Sequence, residues 1–270
     1  MPGAKTIRIA AAGDIHCSEA ERARIERAFA GLGQDVDLVL LAGDLTTHGE
    51  PEQAAVLADV CRALEVPVFA VLGNHDWHAD RRDEVVDLIA SAGVNVLERS
   101  WHVCEIRGVE VGVVGVKGFV GGFPDSELPN FGEPLLRRVY AETSAEVEAL
   151  ECGLEAIAHC PLRIALLHYA PTTATLTGER QTIWAFLGSD RLAHPLARYE
   201  PDLVLHGHAH AGTFRGAIGS VPVYNVAVPV MGRDFWLFEL EGGTETPAEH
   251  PEIHVETEAA EPPGQHAGPH

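Results

Sequence analysis

Three histidines fall within five residues at His206, His208 and His210, in the run Leu203–His210 (LVLHGHAH). Burying them without partners is costly, because each ring carries a donor and an acceptor. A metal ion is the most economical partner. Leu203, Val204 and Leu205 suit a buried strand entered from the turn at Pro201 and Asp202, and Gly207 lets the chain turn sharply. His208 and His210 stand two apart, so both rings reach one point if the backbone there leaves regular strand. Oxygen and nitrogen donors close four other apolar runs. Ile7–Ala12 ends in Gly13-Asp14-Ile15-His16, Val36–Ala42 in Gly43-Asp44, Val66–Leu72 in Gly73-Asn74-His75-Asp76, and Leu162–Leu167 in His168-Tyr169. Strand ends are where α/β sheets place their sites. Any one of these aspartates alone reads as a turn former or helix cap, and any one histidine as a satisfied core residue. Together, each at a strand end, they read as a metal cage.

The order Asp-x-His, Gly-Asp, Gly-Asn-His-Asp, His, Gly-His-x-His resembles the metallophosphoesterase (calcineurin-like phosphoesterase) superfamily from Asp14 to His210. The resemblance implies a four-layer α/β/β/α sandwich of two mixed sheets flanked by helices. It implies two divalent metal ions, one held by Asp14, His16 and His210, the other by Asn74, His168 and His208, with Asp44 bridging them. Two-metal sites span about 3.5–4 Å, and a bridging hydroxide there attacks phosphorus in line. Imidazole-plus-carboxylate cages suit Mn²⁺, Fe or Zn²⁺ better than an all-oxygen Mg²⁺ site, with Mn²⁺ the first expectation. His75 is expected to be catalytic, either bonding a phosphate oxygen or protonating the leaving alkoxide, with Asp76 orienting it. His206 competes for a ligand position but precedes the glycine, so it is placed behind the ligands. Cys17 follows His16 and is either a soft ligand or, by preference, a packing residue. Thr46, Thr47 and His48 occupy the stretch where many relatives carry an acidic or amide residue. The ending Gly-Asn-His-Asp and the short length resemble bacterial cyclic-nucleotide phosphodiesterases. The expected activity is therefore hydrolysis of small phosphodiesters, 2′,3′- or 3′,5′-cyclic nucleotides first. A phosphomonoesterase (including a protein phosphatase), a nuclease of single strands or ends, and a non-enzymatic scaffold are the alternatives.

The elements that must position these residues alternate. Glu19–Leu32 reads as an amphipathic helix with Ser18 as N-cap, Pro51–Leu64 as a second helix opened by proline, and Arg81–Ala92 as a third ending at Gly93. This β-α-β-α-β-α series implies parallel strands with right-handed crossovers. Val94–Leu97, Trp101–Ile106 and Glu110–Val116 then suggest an antiparallel section turning at Arg107-Gly108. Gly118–Pro134 is rich in glycine and proline without periodicity, and is either a lid over the metals or a surface excursion. Leu135–His159 reads as a helix with a weak point near Gly153. A second irregular segment, Thr172–Gly188, precedes a short helix Arg191–Arg198, and Val221–Val228 and Phe235–Leu240 read as returning strands.

Composition bounds the rest. The 270 residues, 46% hydrophobic, allow a single domain, expected over residues 1–240, with an acidic disordered tail over 241–270. Nineteen Lys and Arg against 40 Asp and Glu give a net charge of −21, which repels long nucleic acid but not a small phosphate ester beside cations. The five cysteines are scattered and odd in number, and Asp14 interrupts any signal-like start, so a cytoplasmic protein with no membrane span is expected. The chain's oligomeric state is not legible.

Overall fold

The computed structural model describes residues 5–33, 35–242 and 254–255. Its strands are β1 (Lys5–Ala12), β2 (Leu38–Ala42), β3 (Val68–Val71), β4 (Val94–Val96), β5 (Ser100–Ile106), β6 (Val109–Gly115), β7 (Leu162–Leu166), β8 (Leu203–His206), β9 (Arg215–Ile218), β10 (Val221–Asn225), β11 (Trp236–Gly242) and β12 (His254–Val255). Its α-helices are α1 (Arg22–Ala30), α2 (Pro51–Cys61), α3 (Arg82–Ser91), α4 (Pro134–Ala156), α5 (Trp184–Leu187), α6 (Ala193–Tyr199) and α7 (Val228–Met231).

The strands form two six-stranded mixed sheets, ordered β12-β11-β1-β2-β3-β4 and β5-β6-β7-β8-β10-β9. In the first, β1 to β4 run parallel and β11 returns antiparallel on β1 from Lys5↔Gly242 to Ala11↔Trp236. In the second, β6, β7, β8 and β10 are parallel, with β5 and β9 as antiparallel edges. The period-two alternation of strand side chains separates the layers. Val111, Val113, Ile164, Leu166, Leu203 and Leu205 face the first sheet, while Val114, Val116, Ala165, Leu167 and Val204 face α4 and α6. On the other side α1, α2 and α3 cover the first sheet through Ile25, Phe29, Val56, Leu57, Val85 and Ile89. This is the expected four-layer arrangement of two mixed sheets between helices.

Several elements differ from the sequence reading. Val94–Val96 does not join the antiparallel section; it extends the first sheet parallel to β3, and the antiparallel hairpin is β5–β6 alone. The first helix opens with a 3₁₀ turn, and the Ser18 side chain makes no capping bond. β10 stops at Asn225, and Pro229 helps turn Val228–Met231 into a helical turn. The expected tail boundary is passed by β11, which runs to Gly242, and His254 and Val255 pair with Glu239 and Phe238. The other residues of the expected disordered tail lie outside the described ones. Among the described residues no helix is long and apolar enough to cross a membrane.

Gly153 is not a weak point. α4 runs unbroken through it, because the missing side chain lets the helix approach β6. A Cβ there would stand 2.3 Å from Cγ2 of Val114. Alanine gains about 1 kcal/mol in helix propensity, but forcing a methyl into a packed core costs about 1–3 kcal/mol. Here the obstacle is a branched side chain on a buried strand, so the cost prevails. Gly153→Ala is expected to lower the urea midpoint at unchanged slope, a net loss of up to about 2 kcal/mol. A variant as stable as the parent contradicts this packing account.

Candidate metal centre

The parallel strands bring five chain segments to one edge. Asp14 and His16 follow β1, Asp44 follows β2, Asn74 and His75 follow β3, His168 follows β7, and His208 and His210 follow β8. Four of them sit in the left-handed region, Asp14 (φ 54°), His16 (50°), Asp44 (48°) and His208 (69°). Non-glycine residues adopt this conformation at a cost, and such strain persists where surrounding bonds fix it. Here the bonds interlock the turns. Asp14 N–H donates to Gly43 O (2.9 Å), His16 N–H to Asp44 O (3.0 Å), and His208 N–H to Asp14 Oδ2 (2.9 Å). The motif glycines allow the turns to touch. A Cβ on Gly73 would lie 2.1 Å from Asp44 Oδ1, and one on Gly207 would lie 2.3 Å from Asp14 Oδ2. Each glycine therefore makes room for a carboxylate from a different strand.

The side chains form two donor groups, Asp14 with His16 and His210, and Asp44 with His168 and His208, the ligand atoms of each lying within 4.8 Å of one another. Asn74 joins the second group, its Oδ1 3.0 Å from His168 Nε2. Asp44, 1% exposed, lies between them. Its Oδ2 is 3.9 Å from His16 Nε2, and its Oδ1 is 3.4 Å from His168 Nε2. A further group joins His75 to His16 and Asp44, with His75 Nε2 3.8 Å from Asp44 Oδ2.

Backbone carbonyls only accept, so they fix which ring nitrogens point inward. His168 Nδ1 donates to Ala42 O (2.9 Å) and leaves Nε2 facing Asn74 and Asp44. His208 Nε2 donates to Phe186 O (3.1 Å) and leaves Nδ1. His75 Nδ1 donates to Thr47 O (2.8 Å) and leaves Nε2. His206 has neither nitrogen to spare, since Gly207 O and Thr175 Oγ1 each lie 2.8 Å away, which places it behind the ligands. Burial pushes His206 and His208 down to about 4, so both are neutral, as metal ligation or a buried neutral role requires. Burial alone would raise the Asp14 carboxyl. The bond from His210 Nε2 (2.7 Å), the nearby imidazoles and the His208 N–H outweigh it and hold Asp14 below the usual range. The same bond raises His210.

Asp76 does not orient His75. Its oxygens accept from Leu45 N (3.1 Å), Thr46 N (2.8 Å), Thr46 Oγ1 (2.6 Å) and Gly73 N (2.8 Å), so it latches the Asp44 turn to the Asn74 turn. The orienting group is the Thr47 carbonyl. Cys17 is buried in the core, its thiol pushed well up by burial, and belongs to none of the donor groups. His48 is exposed against Gln53. The first part of Gly118–Pro134 is tied down, Gly121 N–H donating to Ala185 O and Gly122 N–H to Gly188 O, with Phe123 buried. Its second part carries exposed Phe131, and Leu135 and Leu136 beyond it are exposed too. Three contributors were not singled out from sequence. Tyr169 lays its ring 4.4 Å from that of His208, Phe186 supplies a carbonyl, and Lys117 follows the β6 run as the ligands follow theirs.

Divalent cations fit this donor set. Two carboxylates and four imidazoles converge with an amide oxygen; Asp14, Asp44 and His168 are buried, and carbonyls fix two of the four rings, His168 and His208, with a lone pair inward.

The sequence profile of calcineurin-like phosphoesterases matches residues 7–212. No curated protein matches the chain. Solved structures with a similar fold include a phosphopantetheinyl hydrolase from Mycobacterium tuberculosis, 16% identical over 82% of this chain and 89% of that one, at a TM-score of 0.60. TT1561 of Thermus thermophilus is 18% identical over 88% and 95%, at 0.56. GAP50, the anchor in the inner membrane complex of Plasmodium, is 12% identical over 94% and 90%, at 0.57. At such identities the likeness is one of fold.

Removing Asp76 orphans three buried N–H donors, at about 1–3 kcal/mol each. Asp76→Ala is expected to lose at least about 3 kcal/mol of stability in urea unfolding and about 10–100-fold in Mn²⁺ affinity by calorimetry. A variant of normal stability and metal affinity that loses only turnover would show that Asp76 acts through His75 after all.

Proposed function

The chain belongs to the calcineurin-like phosphoesterase family, whose activity is metal-dependent phosphoester hydrolysis, and from that premise we propose a binuclear phosphodiesterase of small diesters, cyclic nucleotides first. The observation that carries the reading is Asp44, whose two oxygens are divided between the two donor groups. A carboxylate so placed suits a bridge, because its charge lowers the repulsion between two cations. Asp14, His16 and His210 would hold one ion and Asn74, His168 and His208 the other, with Mn²⁺ preferred and Fe or Zn²⁺ accommodated. Bound there, the ions supply charge neutralisation of the phosphoryl oxygens and activation of water.

The chain's own contribution to bond cleavage falls to His75. With Nδ1–H committed to Thr47 O, its Nε2 is the nitrogen that holds and delivers a proton, and a third of the side chain is exposed to an incoming substrate. Asp44 Oδ2 lies 3.8 Å from this nitrogen. His75 thus gives a proton to the departing alkoxide, the step on which a poor leaving group depends most.

The anchor in the Plasmodium inner membrane complex has a similar fold, so fold alone does not argue for catalysis. The complete donor set does. Against a nuclease stand the net charge of −21, the placing of Arg137 and Arg138 at the exposed start of α4, and the stacking of Arg233 on Trp236. A phosphomonoesterase differs by the charge of its substrate. Assays of bis-p-nitrophenyl phosphate, p-nitrophenyl phosphate and 2′,3′- and 3′,5′-cyclic nucleotides with Mn²⁺, Fe²⁺ and Zn²⁺ decide between them. Turnover of the monoester alone contradicts the proposal.

Asp44→Ala is expected to abolish turnover while the far-ultraviolet dichroism stays that of the parent. His75→Ala is expected to keep its metals and to lose about 10²–10⁴-fold on a cyclic nucleotide, whose leaving ribose oxygen needs a proton. It should lose little on a p-nitrophenyl ester. Equal losses on both would assign His75 to phosphate positioning, and loss of metal would place it in the cage.

A further inference from the structure

A cavity of about 260 Å³ opens beside the metal centre, walled in part by Leu72 and Trp77, the residues that bracket the Gly73–Asp76 turn. Three cations line it. Arg82 is paired with Glu98, its Nε donating at 3.1 Å, and Arg99 is paired with Glu142 and with Glu146, its Nε donating to the latter at 2.9 Å. Lys117 is different. Among the described residues it has no carboxylate partner; its ammonium lies in an aromatic cage, 4.4 Å from the Phe119 ring centroid, 5.3 Å from Tyr169 and 5.7 Å from Trp77. The π-faces hold the cation, and among the described residues no oxygen accepts from its N–H donors.

Its position is fixed by the fold. Lys117 follows β6, the neighbour of β7, and its carbonyl accepts from His168 N (3.0 Å) and Tyr169 N (2.9 Å). Tyr169 in turn packs on His208, and Trp77 lies two residues beyond His75. Burial lowers the ammonium below its usual range; the charges of Glu146, Glu142 and Asp44 oppose this. A partly desolvated ammonium short of an anion is costly, and the cost falls when an anionic ligand arrives.

We infer that Lys117 is a positioning residue for substrate, binding an anionic oxygen of the phosphoryl group from the cavity side. The inference rests on the hydrolase reading above and deepens it by naming the residue that meets the phosphoryl group beside the ions. Trp77, Phe119 and Tyr169 hold the stem and head of Lys117 so that little freedom is lost on binding.

The test uses the full-length, Mn²⁺-loaded protein. Orthophosphate binding is measured by calorimetry, and kcat and KM on the best diester substrate. Lys117→Met fills the cage without charge. It should raise both the phosphate Kd and KM by about 10–100-fold, the worth of one charge-assisted hydrogen bond, with kcat changed by less than about threefold, as for uniform binding. Metal content should be unchanged, and Lys117→Arg should recover most of the affinity. Phosphate binding by Lys117→Met within about twofold of the parent would overturn the inference. So would loss of metal or of folded structure in that variant, since the lysine would then serve the fold. If no diester is turned over but Lys117→Met still loses phosphate binding, the diesterase reading fails and the anion contact stands.

Discussion

Two carboxylates meet at the junction of the two sheets, and the difference between them organises this molecule. Asp44 and Asp76 are both buried, and removing a carboxylate from water costs several kcal/mol unless bonds or charges compensate. Asp76 accepts from four donors within the chain, which offset much of its burial although burial and the Asp44 charge still hold its carboxyl above the usual range. Asp44 receives one backbone bond, from His75 N at 2.8 Å, and otherwise faces imidazoles. One is a closed structural latch. The other is a carboxylate left for cations to satisfy. The strained turns, the glycines that admit them and the carbonyls that set the rings all serve to hold Asp44 in that state.

The edge where this happens follows from elementary strand physics. Parallel strands need long crossovers, so their carboxyl ends gather on one side while the helices cover the outer faces. Left-handed backbone at Asp14, His16, Asp44 and His208 turns the chain away from strand at the moment it leaves the sheet. That departure lets His208 and His210, two apart, serve the two donor groups.

Much of this was legible in the chain because chemistry and pattern coincide at strand ends. The donors after Ala12, Ala42, Leu72, Leu167 and Gly207 announce themselves by type, and the apolar runs before them by composition. Legibility stopped where the partner is backbone. The Thr47 carbonyl that orients His75 has no sequence signature, and the adjacent Asp76 made the more obvious candidate. Gly153 misled because helix propensity is local, whereas the approach of α4 to Val114 is tertiary. The parallel placing of Val94–Val96 was hidden by its length, three residues being too few to show a direction. Lys117 shared the strand-end position of the ligands, but a lysine is no ligand to a cationic centre, and its aromatic neighbours come from three separate segments.

In the proposed centre Asp44 joins two ions. Electron paramagnetic resonance of the protein loaded with Mn²⁺ tests it most directly, because ions sharing a bridging ligand at about 3.5–4 Å are magnetically coupled. The expected result is the broadened, multiline spectrum of an exchange-coupled pair, collapsing to isolated six-line Mn²⁺ signals in Asp44→Ala. Uncoupled signals in the parent protein, or a coupled pair that survives Asp44→Ala unchanged, would contradict it.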